Sequence, residues 1–343
     1  MSEPPSFDLT CALPHAGQVI TSAHGGGGRA MRGLLRDHVA AALGPDVLRH
    51  DGAVLDLTGR VAVTTDTFVV HPIAFPGGDI GRLAVCGTVN DLVATGAVPH
   101  ALTLGLILEE GLPLATLDAV LASVRRTADE AGVAVVTGDT KVVERGRGHG
   151  IYVNTAGVGV VPDGVDVGPQ RVRPGDAVLV SGDLGRHGVA VLVARQDLQI
   201  DGLLPSDVAP VVAAGAALRA AGPVHCLRDP TRGGLAAVLW EIGKDAGVDI
   251  TIDEAAIPVA APVAAVCELL GLDPLHLPCE GRLVAFVPGE AADVALAALQ
   301  ALDPAAARIG TVQEGTGSAW LSDAFGGRRL LDLPLGDPLP RIC

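Results

Sequence analysis

The chain has 343 residues, of which 49% are apolar, 2% are aromatic and 18% are charged. This length and apolar content favour a globular protein of two domains, with a core built from aliphatic side chains rather than aromatic rings. The formal net charge of −15 argues against binding to nucleic acids or to anionic membrane surfaces, because both carry dense negative charge.

The first half of the sequence alternates between helical and strand-like segments. Residues 1–28 predict an irregular arm that ends in a glycine run, and a helix is predicted from residue 29 to about residue 43. The next predicted elements are a strand at 61–64, a helix at 79–95, a strand at 101–108, a helix at 114–131 and strands at 133–136 and 151–161. Together they predict an N-terminal α+β domain over residues 29–168.

A polar, turn-rich stretch at 169–175 predicts the boundary to a second α+β domain, over residues 169–332. Its predicted strands lie at 177–180, 224–227, 248–252, 283–287, 309–312 and 319–321. Five helices are predicted. The first begins near residue 184, the second spans about 208–220, the third runs from the loop at 228–234 to about residue 245, and the last two span 262–270 and 291–301.

The last segment, residues 333–343, predicts a semi-stiff extended tail. It contains Pro334, Pro338 and Pro340, and proline disfavours both helix and sheet pairing. The tail ends in Cys343, a thiol with no core to fill. We therefore expect a reactive thiol at the tip of this segment.

The cysteines and the start of the sequence indicate a cytoplasmic protein. The six cysteines are Cys11, Cys86, Cys226, Cys267, Cys279 and Cys343. They lie far apart and form no CxxC pair, which argues against a disulfide framework and against a zinc knuckle. No run of about 18 apolar residues predicts a membrane span, and the first ten residues lack the pattern of a signal peptide.

Four consecutive glycines precede the first predicted helix and follow His24 directly. They are Gly25, Gly26, Gly27 and Gly28. Glycine amides can approach an anion closely and a helix N-terminus attracts negative charge, so the run is either a phosphate-binding loop or a flexible hinge. The segment at 25–30 also fits GxGxxA, but no clear βαβ unit surrounds it, and the chain contains no GxxxxGK[ST] motif of P-loop enzymes.

Three aspartates, Asp66, Asp91 and Asp139, lie just after or within apolar elements. Carboxylates suit Mg²⁺, which usually bridges to nucleotide phosphates, although each aspartate alone is also typical of a cap or a turn. Asp91 is unusual because it lies inside a predicted helix between Val89 and Leu92, where a charged group needs a partner or a metal ion.

Further charged residues lie where apolar segments end. Lys141 closely follows a buried strand, where it is suited to neutralise phosphate charge or to act as a base, or is a solvated lysine at a strand end. Glu280 lies between apolar segments and is either a general base or a turn carboxylate. The loop at 228–234 places two arginines, Arg228 and Arg232, together with Asp229 and two glycines before a helix, which suits a phosphate clamp or a capped helix start.

Taken together, these segments resemble the HypE family of hydrogenase maturation factors, within the superfamily of aminoimidazole ribonucleotide synthetase and selenophosphate synthetase. The resemblance runs from about residue 23 to residue 343. It rests on TTDTFVV, FPGGDIGRLAVCGTVNDL, ILEEGLP, VTGDTKVV, RDPTRGGLAAV, CEGRL and the terminal LPRIC. One departure is the glycine loop, where the family typically has a serine that contacts phosphate and this chain has His24 followed by four glycines.

The resemblance implies the two-domain α+β fold of that superfamily, in a homodimer whose N-terminal domains form a shared β-barrel and bind ATP between domains and across the dimer. It implies that the partner HypF carbamoylates Cys343. This protein would then dehydrate the thiocarboxamide to a thiocyanate, consuming ATP. The cyano group would pass to iron held by HypC and HypD, for the active site of [NiFe]-hydrogenase.

The resemblance also implies roles for single residues. The implied catalytic residues are Cys343, Lys141 and Glu280, and the implied Mg²⁺ ligands are Asp66, Asp91 and Asp139. The implied ATP-binding residues are His24, Gly25, Gly26, Gly27, Gly28, Asp66, Asp91, Gly138, Asp139, Thr140, Asp229 and Arg232.

Two alternatives stand beside this hypothesis. One is another ATP-dependent enzyme of the superfamily, such as a selenophosphate synthetase, for which Cys11 is the available reactive residue. That alternative lacks a second Cys or Lys beside Cys11 and does not explain the terminal Arg-Ile-Cys. The other is a carrier without catalytic activity, which the aspartate and lysine motifs argue against and which a measurement of ATPase activity would distinguish.

Overall fold

The computed structural model describes residues 19–198, 200, 202, 204–333 and 342. The strands of this part are β1 Arg60–Phe68, β2 Ala74–Phe75, β3 Gly78–Asp79, β4 Val98–Glu109, β5 Ala134–Val143, β6 Ile151–Val161, β7 Asp176–Val180, β8 Cys226–Arg228, β9 Val248–Asp253, β10 Val284–Pro288, β11 Ala307–Glu314, β12 Ala319–Ser322 and β13 Arg328–Leu331. The α-helices are α1 Arg29–Leu34, α2 Ala40–Leu43, α3 Ile80–Ala94, α4 Leu114–Ala131, α5 Arg186–Arg195, α6 Val212–Ala221, α7 Gly234–Ala246, α8 Ala261–Leu270 and α9 Ala292–Gln300. A π-helical turn, Leu35–Val39, joins α1 to α2.

The sheet of the N-terminal half has four strands in the order β1-β6-β4-β5, so that β1 and β5 are its two edges. Burial alternates at every residue along β6, because one face of the sheet packs against α3. Strand β6 and helix α3 approach each other closely at Gly157, where an added Cβ would lie 2.7 Å from Cγ2 of Thr88 on α3. The buried face of this sheet therefore holds α3 in place, and α4 packs against α3.

The opposite face of the same sheet is apolar and exposed. The exposed fractions are 48% for Val61, 69% for Val63, 45% for Val98 and 42% for Ile107. The strand pairing places these four side chains on one face, because their partners in β6 are its even-numbered residues. Exposed apolar side chains on a sheet face are typical of a protein–protein contact, and here polar Thr103 and Asn154 lie between Ile107 and the three valines.

The sheet of the C-terminal half has seven strands in the order β13-β12-β9-β11-β7-β10-β8. Its inner strand β7, the fifth in this order, is buried at every residue, because helices cover both faces. Val178 and Val180 pack with α7 in one apolar cluster, whereas Ala177 and Leu179 pack with α6 and α9 in another. The continuous apolar run in this part of the sequence therefore reflects a strand that is buried on both faces.

The predicted α+β class is confirmed, and several predicted boundaries are corrected. β1 continues to Phe68 and β5 to Val143, so the polar residues expected after these strands belong to them. The helix α6 begins at Val212 instead of residue 208, and the edge strand β13 was not predicted because its residues 328–330 are exposed and show no alternation. In the described ranges, no helix is long and apolar enough to cross a membrane.

Candidate active site

Two acidic side chains of the N-terminal half line a cavity at the β1 edge of the first sheet. Asp66 lies on β1 and Asp91 on α3, and Thr64 Oγ1 donates a hydrogen bond of 2.8 Å to Asp91 Oδ2. The cavity measures about 330 Å³ and is lined by Thr65, Asp66, Thr67, Phe68, Asp91, Arg228, Thr231, Arg232, Glu241 and Glu280. The structure therefore brings Asp66 and Asp91 together with two further predicted residues, Arg232 and Glu280. We call this cavity the acidic cavity.

The C-terminal half contributes the loop between β8 and α7 to the acidic cavity. Gly233 and Gly234 have φ angles of 79° and 63°, a region that favours glycine. A Cβ on Gly234 would lie 2.5 Å from the carbonyl oxygen of Leu275, so a larger residue does not fit there. The loop thereby presents Arg228 and Arg232 to the cavity, and guanidinium groups suit phosphate oxygens.

Burial raises the pKa values of the aspartates around this cavity. For Asp66 and Asp91, burial is the largest cause of the raised pKa. The pKa of Asp229 rises to about 7, first because of burial and then because of the negative charge of Asp91. Asp229 lines an adjoining cavity of about 270 Å³ that also contains Asp91 and Arg232. A cation bound here would lower these raised pKa values, because its positive charge favours the ionised carboxylates, and the carboxylates would in turn stabilise the cation.

Glu280 is the most buried acid that lines the acidic cavity. It is 2% exposed, and within the described part of the chain its Oε1 has no hydrogen-bond partner. Burial, followed by the negative charges of Asp229 and Asp207, raises the pKa of Glu280 well above its ordinary value. A buried carboxyl group with a raised pKa and an oxygen without a partner is suited to exchange a proton with a bound ligand.

Asn90 joins the helix of Asp91 to the segment of Glu280. Its Nδ2 donates to the carbonyl oxygen of Glu280 at 3.0 Å and to that of Ala209 at 3.1 Å. Its Oδ1 accepts a hydrogen bond of 2.9 Å from the backbone N–H of Val211. All three hydrogen bonds cross from the N-terminal to the C-terminal half, so Asn90 fixes the two acids relative to each other.

A second cavity, also of about 330 Å³, lies at the β5 edge of the sheet. Its polar lining consists of Gly25, Gly27, Thr137, Gly138, Asp139, Thr140 and Lys141, and its apolar lining consists of Met31, Leu35, Val39, Leu43, Val47, Leu48, Leu104, Leu106 and Val135. Lys141 Nζ pairs with Asp139 Oδ2 at 2.5 Å, and this hydrogen bond is the first cause of the lowered pKa of Asp139. We call this cavity the lysine cavity.

Glycines shape the wall of the lysine cavity. A Cβ on Gly138 would lie 2.2 Å from the carbonyl oxygen of Leu104, so only glycine fits between β5 and β4 at this point. The ring of His24 points back to its own turn, where its Nδ1 accepts a hydrogen bond of 2.9 Å from the backbone N–H of Thr21. Gly25 and Gly27 reach the cavity wall, whereas His24, Gly26 and Gly28 are not among its lining residues.

The predicted site residues therefore fall into two groups at opposite edges of one sheet. Asp66, Asp91 and Glu280 line the acidic cavity, whereas Asp139 and Lys141 line the lysine cavity. Among the residues that the structure describes, no three side chains of the types that bind metals lie together as one metal site. The predicted site residues of one chain thus line two separate cavities.

Two residues near these acids were not singled out from the sequence. Thr231 lines the acidic cavity and lies inside the RDPTRGG motif, whose two arginines, Arg228 and Arg232, pointed to this loop. Asp207 is fully buried beside Gly281, whose N–H donates to its Oδ2 at 3.3 Å, and no local sequence signal marks it. The predicted catalytic residue Cys343 lies outside the described residues.

Comparison with known families identifies both halves of the chain. Residues 49–161 match the AIR synthase related protein, N-terminal domain, and residues 173–321 match the AIR synthase related protein, C-terminal domain. The two matches together cover more than half of the chain. The chain therefore has the two domains of an AIR synthase related protein.

Individual relatives narrow the family further. Carbamoyl dehydratase HypE of Rhodobacter capsulatus is 46% identical over 333 residues, which are 94% of this chain and 98% of that protein. A crystal structure of hydrogenase maturation protein HypE in complex with ATP is 44% identical with a TM-score of 0.91, covering 94% of this chain and 99% of that one. A crystal structure of a HypE–HypF complex is 43% identical with a TM-score of 0.79, covering 88% and 99%. The chain belongs to the HypE family, which confirms the resemblance seen in its sequence motifs.

Proposed function

We propose that this chain catalyses the ATP-dependent dehydration of a carbamoyl group on Cys343 to a thiocyanate, for the cyanide ligands of a [NiFe]-hydrogenase. The observation that carries the proposal is the acidic cavity, where Glu280 lies among Asp66, Asp91, Arg228 and Arg232. Arginines suit the phosphates of ATP, and a proton-exchanging acid suits the removal of protons from nitrogen. The family membership supports the same reaction.

The chemistry requires a better leaving group than an amide oxygen. Transfer of the γ-phosphoryl group of ATP to the carbamoyl oxygen gives ADP and an S-bound imidate phosphate, with loss of one N–H proton. Cleavage of the carbon–oxygen bond then releases phosphate while the second N–H proton leaves, and a carbon–nitrogen triple bond forms on sulfur. The elements of one water thus leave the carbamoyl group, with its oxygen in phosphate.

The residues of the acidic cavity divide this work between them. Arg228 and Arg232 would hold phosphate oxygens and stabilise the charge that develops during phosphoryl transfer. Glu280 would exchange the N–H protons, because its Oε1 has no partner within the described residues and its pKa is raised by burial. The dehydration would take place beside the buried Glu280, because water would hydrolyse the activated intermediate at the exposed end of the cavity.

The same cavity fits Mg²⁺. Asp66 and Asp91 place two carboxylates on one wall, burial raises the pKa of each, and the negative charge of Asp91 raises that of Asp66 further. Mg²⁺ prefers oxygen ligands and is usually held by one or two carboxylates together with nucleotide phosphates. Asp66 and Asp91 would therefore hold the ion, which would neutralise phosphate charge when bound.

A homodimer would unite the two cavities. The exposed apolar face of the first sheet, with Val61, Val63, Val98 and Ile107, needs a covering surface. A two-fold pair that buries this face against its own copy would set β1 of one subunit beside β5 of the other and close a barrel. Asp139 of the partner subunit and the partner's Lys141 would then complete the acidic cavity.

The shared site is expected to show complementation between inactive variants. Asp66→Asn and Asp139→Asn should each reduce dehydration to below roughly 1% of the unaltered rate, since each removes one half of every site. Refolding the two variants together at equal amounts should restore roughly a quarter of the activity, because half of the dimers are mixed and each mixed dimer has one intact site. The measurement is thiocyanate formation per subunit.

The matched control for this experiment is Val63→Asp, added to both variants. A charge in the exposed apolar face disfavours its burial, so the complementation should disappear along with the dimer in analytical ultracentrifugation. Complementation that persists in monomers, or a mixture as inactive as its components, would contradict a site shared between subunits.

The proposed partners follow from the chemistry and from the relatives. HypF would place the carbamoyl group on Cys343, as suggested by the HypE–HypF complex among the similar structures. A HypC–HypD complex would accept the cyano group on iron. The net charge of −15 makes nucleic acids unsuitable as partners.

The proposed function is tested by intact mass measurement. The chain is incubated with HypF, carbamoyl phosphate and ATP, and then chased with more Mg·ATP. A carbamoyl adduct that then loses about 18 Da, the mass of one water, supports the dehydratase. An adduct that forms and never loses water would identify a carrier without dehydratase activity and overturn the proposal.

A further inference from the structure

The residue before Cys343 is held by two kinds of contact. Ile342 is 2% exposed, and its side chain belongs to the same apolar cluster as Val189, Val208 and Leu277. Its carbonyl oxygen accepts a hydrogen bond of 3.0 Å from Nε2 of His187 on α5. The main chain and the side chain of this residue are therefore both bound by the rest of the molecule.

The hydrogen bonds around His187 determine its tautomer. A carbonyl oxygen only accepts, so Nε2 carries the hydrogen and Nδ1 of the neutral ring is an acceptor. Ser206 Oγ therefore donates to Nδ1 at 2.9 Å, and it accepts in turn from the backbone N–H of Val208 at 3.1 Å. Complete burial lowers the pKa of His187 to about 4, which keeps the ring neutral. The chain of donors runs in one direction, toward Ile342.

Neighbouring residues hold this imidazole ring in a fixed orientation. The ring of Phe75 meets it edge to face, with centroids 5.3 Å apart and planes 86° apart. The backbone N–H of Ser206 donates to the carbonyl oxygen of Pro76 at 2.8 Å, and a Cβ on Gly77 would lie 2.8 Å from the nitrogen of Ser206. We call Phe75, His187 and Ser206 the Ile342-binding site.

The Ile342-binding site adjoins the acids of the acidic cavity through one short segment. Ser206 directly precedes Asp207, whose Oδ2 accepts from the N–H of Gly281, and Gly281 directly follows Glu280. Consecutive Cα atoms lie about 3.8 Å apart, so an anchored Ile342 restricts where the next residue in the sequence can be. Ser206 of the Ile342-binding site therefore lies on the segment whose next residue, Asp207, is hydrogen-bonded to the residue after Glu280.

We propose that His187, oriented by Ser206, is a positioning residue that binds the main chain at Ile342 and so presents Cys343 to the dehydration site. The proposal deepens, and rests on, the dehydration of a carbamoyl group on Cys343. His187 touches neither the reacting carbon nor ATP in this proposal. Its contribution is to reduce the freedom of the segment before the reacting sulfur, which raises the effective concentration of the carbamoyl group at the site.

The test compares two substitutions of His187 that differ in one hydrogen-bond donor. His187→Phe keeps an aromatic ring and removes the donor, whereas His187→Gln keeps an N–H that can reach the carbonyl of Ile342. The readout is the rate at which a maleimide labels Cys343, measured by mass spectrometry of the peptide that contains it. The assay uses the full chain without ATP or partner proteins.

Labelling of Cys343 is expected to be at least tenfold faster in His187→Phe, because the buried carbonyl loses its partner. His187→Gln should restore most of the protection. Ile342→Asp should match His187→Phe, since burying an aspartate at this site is unfavourable, and it leaves the folded body of the protein unaltered. Equal labelling rates in the unaltered protein, His187→Phe and Ile342→Asp would overturn the proposal.

A second readout separates positioning from general damage. His187→Phe protein that HypF has carbamoylated should dehydrate its adduct at least tenfold more slowly, with ATP affinity unchanged. A loss of ATP affinity in His187→Phe as large as the loss of dehydration rate would overturn the positioning role. The labelling assay does not depend on dehydration, so it can disprove the binding of Ile342 by His187 without bearing on the proposed function. The proposed function would instead be disproved by a carbamoyl adduct that never loses water.

Discussion

Replacement of Cys343 by alanine is expected to abolish thiocyanate formation while ATP affinity stays within about twofold of the unaltered protein. The carbamoyl carbon needs a sulfur to carry it, whereas the groups proposed to bind ATP lie on β1, α3, β5 and the loop before α7. Intact mass after incubation with HypF, carbamoyl phosphate and ATP measures the first effect, and calorimetric titration with a non-hydrolysable ATP analogue measures the second.

The control for this substitution is Cys226→Ala. Burial raises the pKa of the Cys226 thiol to about 12, so it stays protonated and unreactive at neutral pH. The Cys226→Ala protein should form thiocyanate as the unaltered chain does. A carbamoyl or cyano adduct on any cysteine of the Cys343→Ala protein would contradict the assignment, and a loss of ATP binding would contradict a tail that only carries the substrate.

Replacement of Glu280 by glutamine is expected to slow dehydration by about 100-fold or more, because an amide cannot exchange the N–H protons of the substrate. Carbamoylation by HypF should continue, so the carbamoyl adduct accumulates. The control is Glu268→Gln on α8, an exposed glutamate that does not line the acidic cavity. Equal rates in the two variants would argue against a proton-transfer role for Glu280.

The same Glu280→Gln substitution has an expected effect on stability. The folded-state pKa of Glu280 is raised, mainly by burial, so the unfolded chain releases this proton at lower pH than the folded protein does. Stability is therefore lost as pH rises above the unfolded pKa of about 4.3. Glutamine does not ionise, so the melting temperature of the variant, relative to that of the unaltered protein, should increase as pH rises from about 4. A pH-independent difference would contradict a raised pKa.

Local sequence patterns predicted most elements of the fold. The helix at Leu114–Ala131 and the strand at Ile151–Val161 have the predicted bounds, because one has a clear apolar period and the other lies between turn residues. Polar residues at 65–67 and 137–141 hid the ends of β1 and β5, since side chains that line a cavity break the expected apolar pattern.

The arrangement of the site was less accessible to sequence patterns. The motifs predicted functional roles for Asp66, Asp139 and Lys141, but only the strand order places the first at one edge of the sheet and the other two at the opposite edge. The hydrogen bond from His187 to Ile342 joins residues 155 positions apart, and neither belongs to a pattern that predicts the other. Contacts of this kind depend on the packed tertiary structure.

The three hydrogen bonds of Asn90 have a consequence for how the protein melts. They tie α3 of the N-terminal half to residues 209, 211 and 280 of the C-terminal half at a largely buried point. Separation of the halves would break these hydrogen bonds and also expose the apolar clusters shared by both halves to water, so neither half should unfold alone. We expect a single calorimetric transition, which Asn90→Ala should split into two as each half becomes its own cooperative unit.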